Sequence, residues 1–277
     1  MNTLISVDQL KQLQGSGDLL IVDCRFSLLD HEAGRNAYFK SHIDGAFFAD
    51  METQLSAQAI PGTTGRHPLP DKSLWIQQVQ QWGLNPDIQV VAYDDAGGAG
   101  AARLWWMLRW IGHGRVAVLN GGWQAWLAAE GALSADLPIS LPASDFAYNA
   151  MPELTASVEA QELDAEQQLL LDARELPRFL GEIEPIDPVA GHIPGAHCSP
   201  FSGNLADNGL FKSISELQEK FALAKGDKPV VCYCGSGVTA AHNILAMVHA
   251  GLPEPSLYAG SWSEWITDAR RPIATTE

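Results

Sequence analysis

The hydrophobic pattern of the chain runs through one cycle of elements and then through it again. Short, continuous apolar runs such as "LLIVDCR" (Leu19 to Arg25) and "VVCYCG" (Val230 to Gly235) have the length and β-branched content of buried strands. Between them lie longer stretches with helical spacing of apolar positions, among them "SLWIQQVQQWGL" (Ser73 to Leu84) and "SISELQEKFALA" (Ser213 to Ala224). Strands without polar alternation are covered on both faces, so alternation with helices predicts α/β architecture with mainly parallel sheets flanked by helices on both sides. The opening "MNTLISVDQLKQL" has no basic region, extended apolar core or small-residue cleavage site, and it reads as the first helix of the fold.

The second cycle copies the first. "LLIVDCR" resembles "LLLDAR" (Leu169 to Arg174), and "SHIDGA" (Ser41 to Ala46) resembles "GHIPGA" (Gly191 to Ala196). "VVAYDDAGGAGAARLWWML" (Val90 to Leu108) matches "VVCYCGSGVTAAHNILAM" (Val230 to Met247), and "LNGGWQAW" (Leu119 to Trp126) matches "YAGSWSEW" (Tyr258 to Trp265). The four matches keep their order, and only one intervening segment differs in length, which is the signature of a duplication. The aperiodic, Pro- and Ser-bearing stretch between the halves is the natural linker. The expected division is an N-terminal domain over 1–138, a linker over 139–153 and a C-terminal domain over 154–277.

Composition narrows the function. The 277 residues are 46% apolar and 18% charged, with no apolar run near the roughly 20 residues that cross a bilayer, so no membrane partner is expected. A cytoplasmic location is the default. Seventeen Lys and Arg against 33 Asp and Glu give a formal charge of -16, which repels phosphate backbones and argues against nucleic acid. Cys24, Cys198, Cys232 and Cys234 are too few and too unevenly spaced for a disulfide framework or a four-cysteine zinc site. No metal and no cofactor is expected, and Cys232 reads as a strand residue.

The duplication places Cys234 against Asp94 in the first half, so any chemistry of the cysteine belongs to the second half alone. A loop passing from strand into helix turns backbone N–H groups toward one point, and these, with the helix N-terminus, favour a thiolate. Gly235 and Gly237 let such a loop close tightly, while Ser236 and Thr239 offer hydroxyls to an anion or to the helix start. The plainer alternative is a buried, inert cysteine. Phosphate ester hydrolysis would require an arginine where this loop has Ala240. Sulfur transfer, with the thiolate taking up and passing on a sulfur atom, requires only the N–H donors.

The motifs "HIDGA", "HIPGA", "GRHPLP", "CGSGVTA" and "GSWSEW" resemble those of the tandem rhodanese-domain sulfurtransferases over nearly the whole chain. "CGSGVTA" is similar to the loop of the members that use 3-mercaptopyruvate, whereas thiosulfate-preferring members carry basic residues after the cysteine. The resemblance implies two rhodanese-like domains. It also implies a Cys234 persulfide, with Ser236 assisting proton movement, His67 as a catalytic histidine reaching the cleft, Gly235, Gly237, Val238 and Thr239 around the donor, and Arg178 on its carboxylate. It further implies a small anionic sulfur donor, a thiol, thioredoxin-like or cyanide acceptor, and pyruvate as the other product. Glu52 is the nearest equivalent of an acid that partners the histidine in some members. The chain departs from the pattern where a second arginine is expected, since Ile186 or Asp187 stands near that place, and Arg66 is a candidate to compensate. A thiosulfate sulfurtransferase, a persulfide carrier served by a partner enzyme, and a purely structural domain are the competing readings.

Three pairs that recur in both halves cannot be specific to the cysteine. Asp23 with Arg25, Asp172 with Arg174, and His42 with His192 are therefore expected to hold the fold. The tryptophans of "ARLWWMLRW" are expected to pack a helix against its sheet.

Overall fold

The computed structural model describes residues 3–138, 142–148 and 151–275. The linker expected over 139–153 includes 139–141 and 149–150, which lie outside the described residues. The chain forms two compact units, Met1–Ala57 with Leu69–Leu154, and Gln58–Pro68 with Thr155–Glu277. The second unit thus takes in a short loop from the first half of the sequence.

In the first unit the strands are β1 (Leu4–Ile5), β2 (Leu19–Asp23), β3 (His42–Ile43), β4 (Phe47–Phe48), β5 (Gln89–Tyr93), β6 (Val116–Leu119) and β7 (Leu133–Ser134). The order β1-β6-β5-β2-β4 makes a five-stranded sheet whose pairings are all parallel, and β3 pairs antiparallel with β7 beside it. The helices are α1 (Val7–Leu13), α2 (Ala33–Lys40), α3 (Lys72–Gln81), α4 (Ala99–Trp110) and α5 (Gly122–Ala128). The opening stretch holds the expected helix, preceded by β1. Ser6 and Gln9 form a capping box at its start, which satisfies two of the N–H groups a helix leaves unpaired. Helix α4 packs on β5 and β6, and its Trp105 and Trp106 are buried, as expected for that run.

The second unit repeats the plan with β8 (Leu169–Asp172), β9 (His197–Cys198), β10 (Val230–Tyr233) and β11 (Ser256–Leu257) in the parallel order β11-β10-β8-β9. Ser157 bridges Leu257 in parallel and stands where β1 stands in the first sheet. Its helices are α6 (Leu176–Phe179), α7 (Ile214–Lys220), α8 (Val238–His249) and α9 (Ser261–Trp265). All four residues of β10 are buried, which accounts for its unbroken apolar pattern. Among the described residues, no helix is long and apolar enough to cross a membrane.

Each unit is pinned by the same polar knot. Arg25 Nη2 donates to Asp23 Oδ2 at 2.6 Å and to the Ser41 carbonyl at 2.7 Å. Arg174 Nη2 donates to Asp172 Oδ2 at 2.6 Å and to the Gly191 carbonyl at 2.7 Å. The hydroxyls of Tyr93 and Tyr233 accept from the backbone N–H of Ile43 and Ile193, and His42 and His192 contact the carbonyls of Tyr38 and Phe179 through Nδ1. The knot ties the ends of β2 and β8 to backbone that follows them in sequence, at Ser41 and Gly191. Arg174→Met would leave the Asp172 carboxylate, fully buried, without its main counter-charge. We expect a loss of about 3–5 kcal/mol in the urea-unfolding transition of the second unit.

Candidate active site

Strand β10 ends at Tyr233 and helix α8 begins at Val238, so the loop has four residues in which to reverse its hydrogen-bonding direction. Gly237 makes this possible by adopting φ +80, and a Cβ there would lie 2.5 Å from the Ala259 carbonyl oxygen. Only glycine fits. The turn points the N–H groups of Ser236 and Gly237 at Cys234 Sγ, at 3.4 and 3.1 Å, while the Cys234 N–H donates to Ser261 Oγ. On the other side, Trp262 and Ser263 at the start of α9 donate to the carbonyls of Cys234 and Gly235 at 2.9 and 3.0 Å. The loop's inward N–H groups are thereby left to the sulfur. The role of "GSWSEW" as a clasp on this loop goes beyond the sequence reading, in which the motif counted only as part of the repeat and of the family resemblance.

The first unit shows what this kind of loop does without a cysteine. Asp94 is buried, and its carboxylate accepts N–H bonds from Ala96, Gly98 and Ala101 at 2.8 to 2.9 Å. Burial pushes this carboxyl up from its usual range, against the pull of those three amides. The loop is an anion cradle that carries its own anion in one half and a sulfur in the other. Cys232, two residues before Cys234, is fully buried within β10, and burial pushes its thiol up. Among the described residues no group of three or more His, Cys, Asp or Glu is arranged to hold a metal.

Several residues singled out from the sequence come together around this loop. His67, buried, shares a hydrogen bond of 2.8 Å through Nδ1 with Ser236 Oγ, across 169 positions of sequence. Gly235 lies under two guanidiniums: a Cβ placed on it would stand 2.7 Å from Arg66 Nη2 and 3.6 and 3.7 Å from Arg178 Nη2 and Nη1. Val238 is buried and Thr239 half-buried, both in the first turn of α8. Glu52 belongs to the other unit, where its carboxylate pairs with His31 at 3.0 Å. Ala240 is buried where a phosphatase would place its arginine.

Sequence reading named Asp187 only as a departure from the family pattern, and missed Glu184 and the pairing of both acids with the arginines. Arg178 Nη2 pairs with Glu184 Oε1 at 2.7 Å and with Asp187 Oδ2 at 3.2 Å, and Arg66 Nη1 pairs with the other Asp187 oxygen. Glu184 also accepts the backbone N–H groups of Ile186 and Asp187, both at 3.1 Å. Against the upward push of burial, Arg178 and these amides hold its carboxyl below the usual range. Burial pushes Asp187 up despite the pull of Arg66.

Comparison with known proteins agrees with this plan. The family model described as a rhodanese-like domain matches residues 6–129 and 155–268. The chain belongs to the rhodanese-like family. Among its relatives, a Pseudomonas aeruginosa protein named "Probable 3-mercaptopyruvate sulfurtransferase" is 50% identical over 98% of both chains. A Mycobacterium tuberculosis protein named "Putative thiosulfate sulfurtransferase SseB" is 39% identical over 98% of this chain and 96% of its own. The structure of the 3-mercaptopyruvate sulfurtransferase from Leishmania major superposes on this rhodanese-like chain with a TM-score of 0.86 at 34% identity. It covers 98% of this chain and 76% of that one.

The clasped turn makes a direct prediction. Gly237→Ala puts a side chain at positive φ and against a carbonyl, and should lower stability by about 1–3 kcal/mol. Gly17→Ala, where an added Cβ meets nothing within 4 Å, should stay within about 0.5 kcal/mol of wild type. Equal unfolding midpoints for the two variants would contradict this account of the turn.

Proposed function

We propose that the protein is a sulfurtransferase that takes sulfur from 3-mercaptopyruvate onto Cys234 and passes it to a thiol, a thioredoxin-like protein or cyanide. The observation that carries this reading is the loop geometry: a buried cysteine sulfur faces two backbone N–H donors, beside a hydrogen-bonded Ser236–His67 pair and with no arginine at the loop's far end. The names of the Pseudomonas and Leishmania relatives support the donor.

In this mechanism the Cys234 thiolate attacks the donor's thiol sulfur, and the carbon–sulfur bond breaks with its electron pair moving to carbon. The resulting enolate takes a proton and leaves as pyruvate. Ser236 and His67 are placed to move that proton, since their side chains already share a hydrogen bond next to Cys234. Cys234 is left as a persulfide, whose outer sulfur is attacked by an acceptor thiolate, returning the Cys234 thiolate. With cyanide the product is thiocyanate. Backbone N–H groups stabilise the negative charge on the sulfur in each resting stage without a cation in the loop. Arg178 lies against Gly235 and has the fork geometry to receive the donor carboxylate. Gly235, Gly237, Val238 and Thr239 form the wall of the same cradle. The first unit, with Asp94 in the cysteine's place, is a scaffold without chemistry of its own, and the free thiols suit a cytoplasmic setting.

A second reading, with thiosulfate as the donor, draws support from the two guanidiniums beside the loop and from the Mycobacterium relative's name. The two are separated by kcat/KM for each donor in wild type and in Arg178→Ala. We expect 3-mercaptopyruvate to be preferred, and the substitution to lower its kcat/KM about tenfold or more while affecting thiosulfate less. A large thiosulfate preference, or equal losses for both donors, would overturn the assignment.

A further inference from the structure

His67 is delivered to the cysteine loop from a distant part of the chain, on a segment that closes on itself. Within residues 58–68 the N–H groups of Thr63 and Thr64 donate to the Ile60 carbonyl, and the Ile60 N–H donates to Thr64 Oγ1. The two residues just before His67 then meet the start of α9. The Arg66 N–H donates to Ser263 Oγ at 3.1 Å, and Gly65 packs so closely that a Cβ there would run into the Gly260 carbonyl oxygen.

Ser263 is bonded toward both loops. Its N–H donates to the carbonyl of Gly235, the residue after Cys234, at 3.0 Å. Its hydroxyl donates to the Gly260 carbonyl at 3.4 Å, which leaves an oxygen lone pair for the Arg66 N–H. One buried residue thus touches the loop that bears the nucleophile and the loop that bears the histidine. The duplication supplies a comparison. Trp123 and Trp262 donate alike to the carbonyls of Asp94 and Cys234, so that bond belongs to the shared fold. The residue aligned with Ser263 is Gln124, which is exposed and whose side chain donates to the Asp95 carbonyl at 3.2 Å. The serine is particular to the half that carries the cysteine and receives the 58–68 segment.

We infer that Ser263 is a positioning residue, which sets the register of His67 and Ser236 against Cys234 by holding both loops on one turn of helix. This rests on the sulfurtransferase reading above and deepens it by tying one step of the reaction to a residue that touches no reacting atom. In carbon–sulfur cleavage the proton of the donor thiol ends on the methyl carbon of pyruvate, so the step depends on where His67 and Ser236 stand. Transfer of the outer persulfide sulfur to cyanide moves no proton: the sulfur–sulfur bond breaks, a carbon–sulfur bond to cyanide forms, and Cys234 is left as the thiolate. Loss of register therefore slows the first step and spares the second.

The test separates the two steps in Ser263→Ala, which removes the hydroxyl and keeps the N–H, and in Gly65→Ala, which removes no polar group. In Gly65→Ala the 58–68 segment must give way, because the α9 turn is held by its bonds to Cys234 and Gly235. Both variants should release pyruvate about tenfold to a hundredfold more slowly in a single turnover with 3-mercaptopyruvate, at a KM within about twofold of wild type. Once loaded with sulfur, both should pass it to cyanide at the wild-type rate, and iodoacetamide should alkylate Cys234 as fast as in wild type. The double variant should lose less than the product of the two single losses, since both act on one contact. Amide deuterium exchange over 58–68 should be faster in both, and thermal unfolding checks that each is folded. Pyruvate release at the wild-type rate in either folded variant, or equal slowing of release and of transfer to cyanide, would overturn the inference. Failure of the donor reading looks different: wild type would release no pyruvate, while both variants would still exchange faster over 58–68.

Discussion

The left-handed turn at Gly237 is the constraint on which the site depends. A parallel strand must hand over to a helix within four residues, and a Cβ at that point would collide with the Ala259 carbonyl. Once the turn is made, the peptide N–H groups of Ser236 and Gly237 point at the side chain of Cys234, the first residue after the strand. Asp94 satisfies the same kind of demand in the first unit with a carboxylate. Cys234 satisfies it with a sulfur, which makes a structural necessity into a place where negative charge on sulfur is stabilised. The duplication thus displays both uses of one device.

Around that turn, the buried Asp–Arg knots keep the strand ends in register. Each arginine answers a carboxylate that would otherwise be buried alone, and each also reaches a backbone carbonyl 16 or 17 residues further along the chain. Such pairs add little net stability over an apolar core but are costly to break, so they fix one arrangement of loop against strand. In the second unit the knot touches the site itself, because Arg174 also contacts Glu184, the fixed acid beside Arg178. Scaffold and candidate site are therefore one charge network.

Much of this was legible in the sequence, for physical reasons that differ from feature to feature. Apolar runs and helical periodicity are local, so the strand and helix order and its repetition could be read directly, as could the contrast between Cys234 and Asp94. Ala240 could be weighed because the comparison needs only its spacing from the cysteine along the chain. The partners of Arg178 could not be read. Asp187 meets Arg66 across 121 positions, and neither charge belongs to a periodic pattern. Glu52 illustrates the same limit from the other side, since nearness to a motif said nothing about its pairing with His31. Ser261, at φ +55 without being glycine, gave no warning except its alignment with Gly122, which takes φ +54 in the first half.

The central claim is that Cys234, held by this turn, carries the sulfur. It is tested most directly in a single turnover: the protein is mixed with 3-mercaptopyruvate and no acceptor, pyruvate is counted, and the cysteine-bearing peptides are weighed by mass spectrometry. The account predicts one pyruvate per chain, with the mass of one added sulfur on the peptide that contains Cys234, and neither in Cys234→Ser. Pyruvate release at the wild-type level from Cys234→Ser, or the added sulfur on Cys24, Cys198 or Cys232 instead, would contradict it.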